Sequence, residues 1–299
     1  MDERAWLADR FEEHYAHLRA VAYRMLGSLS EADDAIQEAW LRLSGSDASE
    51  IENLGGWLTT VVARVCLNML RSRKARREEP LSIHVPDPIV SAEADADPEQ
   101  EAMLADSVGL ALQVVLDTLA PAERLAFVLH DMFGVPFDQI AAMLGRSEAA
   151  SRQLASRARR RVRGATAVSD TDVARQREVV DAFMAAAREG DFSALLEVLD
   201  PDVVLRADGG APAGTDSREV RGARAVAGLA LGYSRMGLVM HRALVNGTPG
   251  VVATLDGRPF AVGGFNVANG KIVEIDILAD QERLERLNIA ILQAGTSDD

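Results

Sequence analysis

Residues 145–164, GRSEAASRQLASRARRRVRG, hold seven arginines in twenty positions, in a chain of 299 residues whose formal net charge is -14. Guanidinium groups at that density suit phosphate oxygens and the edges of bases. The preceding stretch, FDQIAAMLG (137–145), ends on a glycine that permits a left-handed turn. Ser147 then stands where a helix cap belongs. Ile140 and Leu144 fit a core, Ala141 is small where two helices would cross, and Leu154 would hold the second helix down. This spacing predicts a helix-turn-helix. Its second helix would offer Arg146, Ser147, Glu148, Ala149, Ser151, Arg152 and Gln153 to a major groove, where Arg and Gln pair with guanine and adenine. Arg157, Arg159, Arg160, Arg161 and Arg163 would follow the phosphates. Ser151 sits where such helices often bury an apolar side chain.

A second basic cluster, RSRKARR (71–77), puts five cations in seven residues at the end of a predicted helix. Cations there also offset the helix dipole, but five exceed what capping requires. Acid–base chemistry has three candidates in the last third of the chain: Asp208, His241 and Asp276. Asp208 precedes Gly209 and Gly210 and reads as a turn former. Asp276 alternates with Ile275 and Ile277, and His241 stands alone near a strand start. No compact catalytic constellation emerges, so no enzyme activity is expected. Cys66 is the sole cysteine, which leaves no disulfide and no Cys-rich zinc site; no metal or cofactor is expected.

The elements that must carry these residues fall into blocks. Residues 53–77 carry six Lys/Arg and no acid, residues 78–106 nine acids and no Lys/Arg, and residues 107–164 eight basic against five acidic side chains. Basic blocks can neutralise phosphates although the whole chain is acidic. Two basic helical modules joined by a linker could engage two DNA sites at once. Within the first, Phe11, Leu18, Val21 and Met25 lie near helical spacing. Ser30 is the expected cap of a second helix bearing Ile36, Trp40 and Leu43, and a third is expected over Trp57–Arg73. Leu119-Ala120-Pro121 breaks one helix and starts another. In the acidic linker, HVPDPIV (84–90) is less polar than its surroundings and held extended by its prolines, as a docking segment or as a stiff spacer.

From about residue 173 the pattern changes to one helix stopped by Gly190 and then five strand-like runs. Asn246-Gly247, Asp256-Gly257 and Asn269-Gly270 are hairpin signals between them. A curved antiparallel sheet in an α+β domain is expected. No apolar run is long enough to cross a membrane and the N-terminus lacks a signal-like apolar stretch, so a cytoplasmic protein with no membrane partner is expected.

At this point a family resemblance is specific. AYRMLGSLSEADDAIQEAWLRL (22–43) with GGWLTTVVARVCLNMLRSRKARRE (55–78) resembles region 2 of a bacterial extracytoplasmic-function sigma factor. LDTLAPAERLAFVLHDMFGVPFDQIAAMLGRSEAASRQLASRARRRV (116–162) resembles region 4. HVPDPIV resembles the linker motif of the subgroup with a C-terminal SnoaL-like extension, with His84 where an aromatic is usual. VVDAFMAAAREGDFSALLEVLDPDVVLRADGG (179–210) resembles that extension, with Ala211 replacing the last glycine of an Asp-Gly-Gly-Gly signature.

The resemblance implies a multidomain protein with two all-α sigma domains and a C-terminal α+β NTF2-like or SnoaL-like domain. The boundaries would be 1–78 for region 2, 79–106 for an acidic linker, 107–164 for region 4 and 173–290 for a regulatory domain. Asp33, Asp34, Gln37, Glu38, Trp40 and Arg42, around Ile36, would dock on core RNA polymerase. Asn53 would read a base of a melted −10 element, unless it is only a helix cap, while Arg64, Arg71, Arg73, Lys74, Arg76 and Arg77 hold backbone. The helix-turn-helix would read the −35 element. Regulation in cis would use His84, Val85, Pro86, Asp87 and Pro88, the Asp208-Gly209-Gly210 loop and the segment 278–287. A small ligand in the C-terminal domain stays open. A stand-alone helix-turn-helix regulator and a SnoaL-like enzyme fused to DNA-binding helices are the alternatives.

Overall fold

In a computed structural model of the chain, residues 3–46, 51–75, 83–91, 109–165, 170, 172–210, 217–287 and 289 are described. They fall into two compact units. The first comprises residues 1–79, 101–106 and 115–164; the second comprises 80–100, 107–114 and 165–299.

The first unit is helical. Helices α1 (Glu3–Leu26), α2 (Leu29–Ser44) and α3 (Leu54–Ala75) enclose Leu18, Val21, Met25, Ile36, Leu43, Leu58 and Val62. Gly27 takes φ +72, so α1 ends and α2 starts almost at once. The cap of α2 is therefore Ser28 and not the expected Ser30. Helix α3 begins three residues before the expected Trp57, because Asn53 caps it. Helix α4 (Gly109–Asp117), whose residues up to 114 belong to the second unit, leads to α5 (Pro121–Phe127), which has proline at its first position where a missing N–H costs nothing. A π-helical turn (Val128–Met132), α6 (Phe137–Leu144) and α7 (Glu148–Ala165) complete the unit. The second group of helices packs on the first. Buried Arg124 donates from Nε to the Arg24 carbonyl at 3.0 Å and pairs with Asp117, while the His17 and Phe133 rings meet edge-on at 5.3 Å.

The second unit is a seven-stranded sheet ordered β1-β4-β5-β6-β7-β2-β3. The strands are β1 (Val90–Ser91), β2 (Leu199–Asp208), β3 (Arg218–Arg221), β4 (Val239–Val245), β5 (Thr248–Leu255), β6 (Arg258–Ala268) and β7 (Lys271–Leu278). Helices α8 (Val173–Glu189), α9 (Phe192–Val198) and α10 (Ala223–Ser234) cover one face around Phe183, Leu195, Leu205, Val226, Phe265 and Ile275. Asn246-Gly247, Asp256-Gly257 and Asn269-Gly270 all take positive φ, the type I′ geometry that matches strand twist. This is the α+β arrangement that the resemblance implies.

Three features differ from the sequence reading. The sheet is mixed, because β2 lies parallel to β7. Strand β3 and helices α9 and α10 were absent from the expected elements. Residues 83–91 belong to the second unit, so the stiff-spacer reading of HVPDPIV does not hold. Val90 and Ser91 extend the sheet beside β4, and Val85 and Val90 enter a second core with Val245, Val252, Val262 and Leu278. Helix α11 (Gln281–Arg286) contributes Leu284 to the same core.

Candidate nucleic-acid interface and linker clasp

Helix α6 closes on Gly145 at φ +64, and the chain re-enters a helix through Ser147, whose Oγ accepts from the Ala150 amide at 3.3 Å. Ile140, Ala141 and Leu144 are buried beneath this turn. Along α7, positions 151, 154, 155 and 158 form the buried stripe. Ser151 is thus fully buried and corrects the expectation that it faces DNA. It fills the apolar position because its hydroxyl is satisfied by the Ser147 carbonyl at 3.1 Å.

The opposite face of α7 is open. Arg146, Ser147, Glu148, Arg152, Gln153, Arg157 and Arg160 are exposed. Arg152 is held by Glu148 at 2.7 Å, one helical turn away, and lies over the Phe137 ring at 5.4 Å. A guanidinium steadied this way is preorganised yet still accessible. Arg159 differs from expectation: it pairs with Asp131, so the fold already uses its charge. Arg161 is likewise engaged by Glu123 at 3.0 Å.

On α3, Asn53 does the work of a cap. Its Oδ1 accepts from the Gly56 amide at 3.0 Å, and a Cβ on Gly56 would meet Nδ2 at 2.9 Å. The side chain is nonetheless exposed. Arg64, Arg71 and Lys74 are exposed. Arg73 departs from its expected backbone role, because it pairs with Glu31 and donates to the Leu26 carbonyl at 3.4 Å, tying α3 to the corner between α1 and α2. Arg76 and Arg77 lie outside the described residues.

On α2, Asp33, Asp34, Gln37 and Arg42 are exposed, while Glu38 and Trp40 are half-buried. Trp40 stands edge-on to Phe11 at 5.2 Å. Ile36 is core and leaves the surface group. Leu41 joins it: at 58% exposure it shares a face with Asp34, Gln37 and Glu38. Its place off the Ile36–Leu43 stripe was a readable signal that went unused.

In the second unit the regulatory residues converge. Asp208, nearly buried at the end of β2, accepts from the Val85 amide at 2.9 Å, the Gly210 amide at 3.1 Å and Arg283 at 2.8 Å. His84 approaches it at 3.3 Å. Burial alone would raise the Asp208 pKa, but the hydrogen bonds and the Arg283 charge outweigh it and hold the carboxyl below its usual range. Arg283, on α11, also donates to Asp87 from Nε at 2.8 Å and to the Val85 carbonyl at 2.6 Å. One guanidinium therefore joins the linker to the sheet through two carboxylates and a carbonyl. Pro86 and Pro88 are buried beside it, and across the sheet edge the Ile89 amide donates to Asn246 Oδ1 at 2.9 Å while the Asn246 amide donates to the Ile89 carbonyl at 2.8 Å. Gly210 has φ +79, and a Cβ there would strike Asp280 at 2.4 Å. Sequence reasoning named the segment 278–287 but not Arg283 within it.

The three acid–base candidates sit on the sheet face that bears this clasp. His241 bonds Thr254 at 3.0 Å. Asp276 pairs with Arg206 at 3.1 Å, and Arg206 also reaches Glu274 at 3.3 Å. Burial pushes the Asp276 carboxyl up to about 6, opposed by Arg206 and reinforced by Glu274. None of the three lines the cavity on the opposite face.

Residues 10–76 match the family described as Sigma-70 region 2, and residues 109–162 match Sigma-70, region 4. The ECF RNA polymerase sigma factor SigJ of Mycobacterium tuberculosis (strain ATCC 25618 / H37Rv) is 41% identical over 274 residues, 89% of this chain and 86% of that protein. The probable ECF RNA polymerase sigma factor SigI of Mycobacterium tuberculosis (strain CDC 1551 / Oshkosh) is 37% identical over 287 residues, 95% and 94% of the two chains. The crystal structure of Mycobacterium tuberculosis SigJ superposes with a TM-score of 0.78 at 36% identity, covering 94% of this chain and 99% of that one. The chain belongs to the extracytoplasmic-function sigma factors of RNA polymerase. Its similarity to SigJ extends through the C-terminal sheet domain as well as both helical modules.

Proposed function

We propose that the protein binds core RNA polymerase, directs it to a promoter and is regulated in cis by its C-terminal domain. Helix α2 presents the polymerase-facing surface, with Leu41 as an apolar anchor among Asp34, Gln37 and Glu38. The start of α3 reads a melted −10 element through Asn53, with Arg64, Arg71 and Lys74 on phosphates. The exposed face of α7 reads the −35 element, with Arg146, Arg152 and Gln153 on bases and Arg157 and Arg160 on phosphates.

The observation that carries the regulatory part is the clasp of residues 83–91 on the C-terminal domain. Promoter elements about 25 base pairs apart lie roughly 85 Å apart along B-DNA. Two modules packed into one helical unit do not reach that far. Reading both elements therefore requires them to part, and the chain that joins them passes through the clasp. Holding its middle on the sheet restricts how far the modules separate, which makes the C-terminal domain a brake on promoter engagement. The placement of Asp208, His241 and Asp276 on the sheet face away from the cavity supports a non-catalytic role for that domain.

The test is co-elution of the full chain with core polymerase, using Leu41→Glu and Arg160→Ala. Leu41→Glu should lose polymerase and keep DNA binding, and Arg160→Ala should keep polymerase and weaken DNA binding. A chain that binds DNA but never polymerase would favour the stand-alone regulator.

A further inference from the structure

The C-terminal unit holds a cavity of about 490 Å³ between the sheet and helices α8 and α10, within the range of small-molecule sites. It exists because inward positions of the central strands are small: Ala253 on β5, Ala261 and Gly263 on β6. Aromatic and aliphatic side chains such as Phe183, Phe260 and Phe265 form the rest of the wall. At its edge the apolar side chains of Val239 and Met240 are exposed.

Four polar side chains line the cavity: Arg188 and Ser234 at exposed positions, and Arg218 and Tyr233, which are built into the wall. Arg218, on β3, shares a strand face with Val220, which packs on the same core. One terminal nitrogen of Arg218 donates to the Tyr233 hydroxyl at 2.8 Å, and its guanidinium lies 5.8 Å from that ring's centroid. Its Nε is closed off from solvent and has no hydrogen-bond partner among the described residues. Arg206, on the sheet's other face, shows the contrast, since three carboxylates, of Glu219, Glu274 and Asp276, answer its charge. No Asp, Glu or His is among the described residues lining the cavity. Because Tyr233 accepts from Arg218, its own proton is left to donate. Arginine and tyrosine together thus offer donors and no anionic acceptor. A buried donor left unmade is costly, and a charged acceptor satisfies it best.

We propose that this cavity is a binding site for an apolar monocarboxylate, with the carboxylate on Arg218 and Tyr233 and the hydrocarbon body against the phenylalanines. The site adjoins the clasp. Gly209 lines the cavity, its amide donates to Ser217 Oγ at 3.2 Å, and Ser217 precedes Arg218, while Asp208 on the other side of Gly209 holds Val85.

Calorimetric titration of the full-length protein with decanoate and with decanamide tests this directly, and the readout does not depend on the transcriptional reading. Decanoate should bind one per chain, and decanamide at least about tenfold more weakly, the factor that one charge-assisted hydrogen bond supplies. Arg218→Met should bring the two to equal affinity. Tyr233→Phe, which leaves the ring packing, should weaken decanoate several-fold and settles the point if Arg218→Met does not fold. Ala261→Trp, which fills the cavity, should abolish binding of both. Equal affinity for acid and amide in the unaltered protein, absence of binding by decanoate, or undiminished binding by Ala261→Trp would overturn the proposal.

Discussion

Helix α7 and the linker clasp are built from the same residue types and use them in opposite ways. Arg146 just before α7, and Arg152, Arg157 and Arg160 on it, are exposed, and where a carboxylate partner is present it is a single glutamate one turn away. Exposed pairs of that kind contribute little to stability, so these charges remain available to an external anion. In the clasp, Arg283 meets Asp87, Asp208 and the Val85 carbonyl inside a mostly buried site. Removing one member there strands the others away from water, so the contact is committed to the chain itself. Burial and partners, not residue type, separate an open cationic surface from a structural lock.

The largest expected effect attacks the lock. Arg283→Ala should destabilise the C-terminal unit by about 2–4 kcal/mol and strip hydrogen-exchange protection from the Val85 and Ile89 amides. Exchange measured by mass spectrometry checks it; unchanged protection would mean that the apolar contacts of Val85 and Val90 alone hold the linker. On the other side of the comparison, Arg152→Ala should leave thermal stability nearly unchanged and weaken binding to a selected duplex by about 1–3 kcal/mol, with relaxed preference at one base. Fluorescence anisotropy across single-base variants reads this.

A third prediction concerns pH. The Asp276 carboxyl is raised to about 6 from 3.8, so the folded state binds more protons than the unfolded state between those values. Stability from this group is therefore greatest below about pH 4 and declines as pH rises through 6. Asp276→Asn should flatten that decline, worth about 3 kcal/mol at neutral pH, as read by urea unfolding across the range. Asp208 works in the opposite sense: its lowered pKa stabilises the clasp above the usual carboxylate value and loses that contribution as pH falls through the folded pKa. The smallest effect belongs to Arg160→Ala, which should weaken every duplex alike and reduce the salt slope of binding by about one.

Local signals were legible where one short stretch decides the geometry. Gly145 and Ser147 announce the turn of the helix-turn-helix, and Asn246-Gly247, Asp256-Gly257 and Asn269-Gly270 announce hairpins, because each needs left-handed backbone at named positions. What the sequence left hidden depends on partners far away in the chain. The parallel pairing of β2 with β7 joins residues about seventy apart, and REVR, three charged residues around Val220, becomes strand β3 only because β2 lies alongside. Arg283 meets Asp87 across 196 residues, a pairing no spacing rule reveals. Ser151 shows a subtler limit: its polar type pointed outward, while a hydrogen bond one turn back let it take a buried position.

The account's central claim is that this sigma factor initiates transcription under the restraint of its clasped C-terminal domain. Run-off transcription with core RNA polymerase, from a promoter selected by the protein itself, tests it most directly by comparing the full chain with Arg283→Ala. Specific initiation by both, with several-fold more transcript from Arg283→Ala, is the predicted result. Equal transcript from the two would contradict restraint by the clasp, and no transcript from either, despite intact DNA binding, would contradict the sigma role.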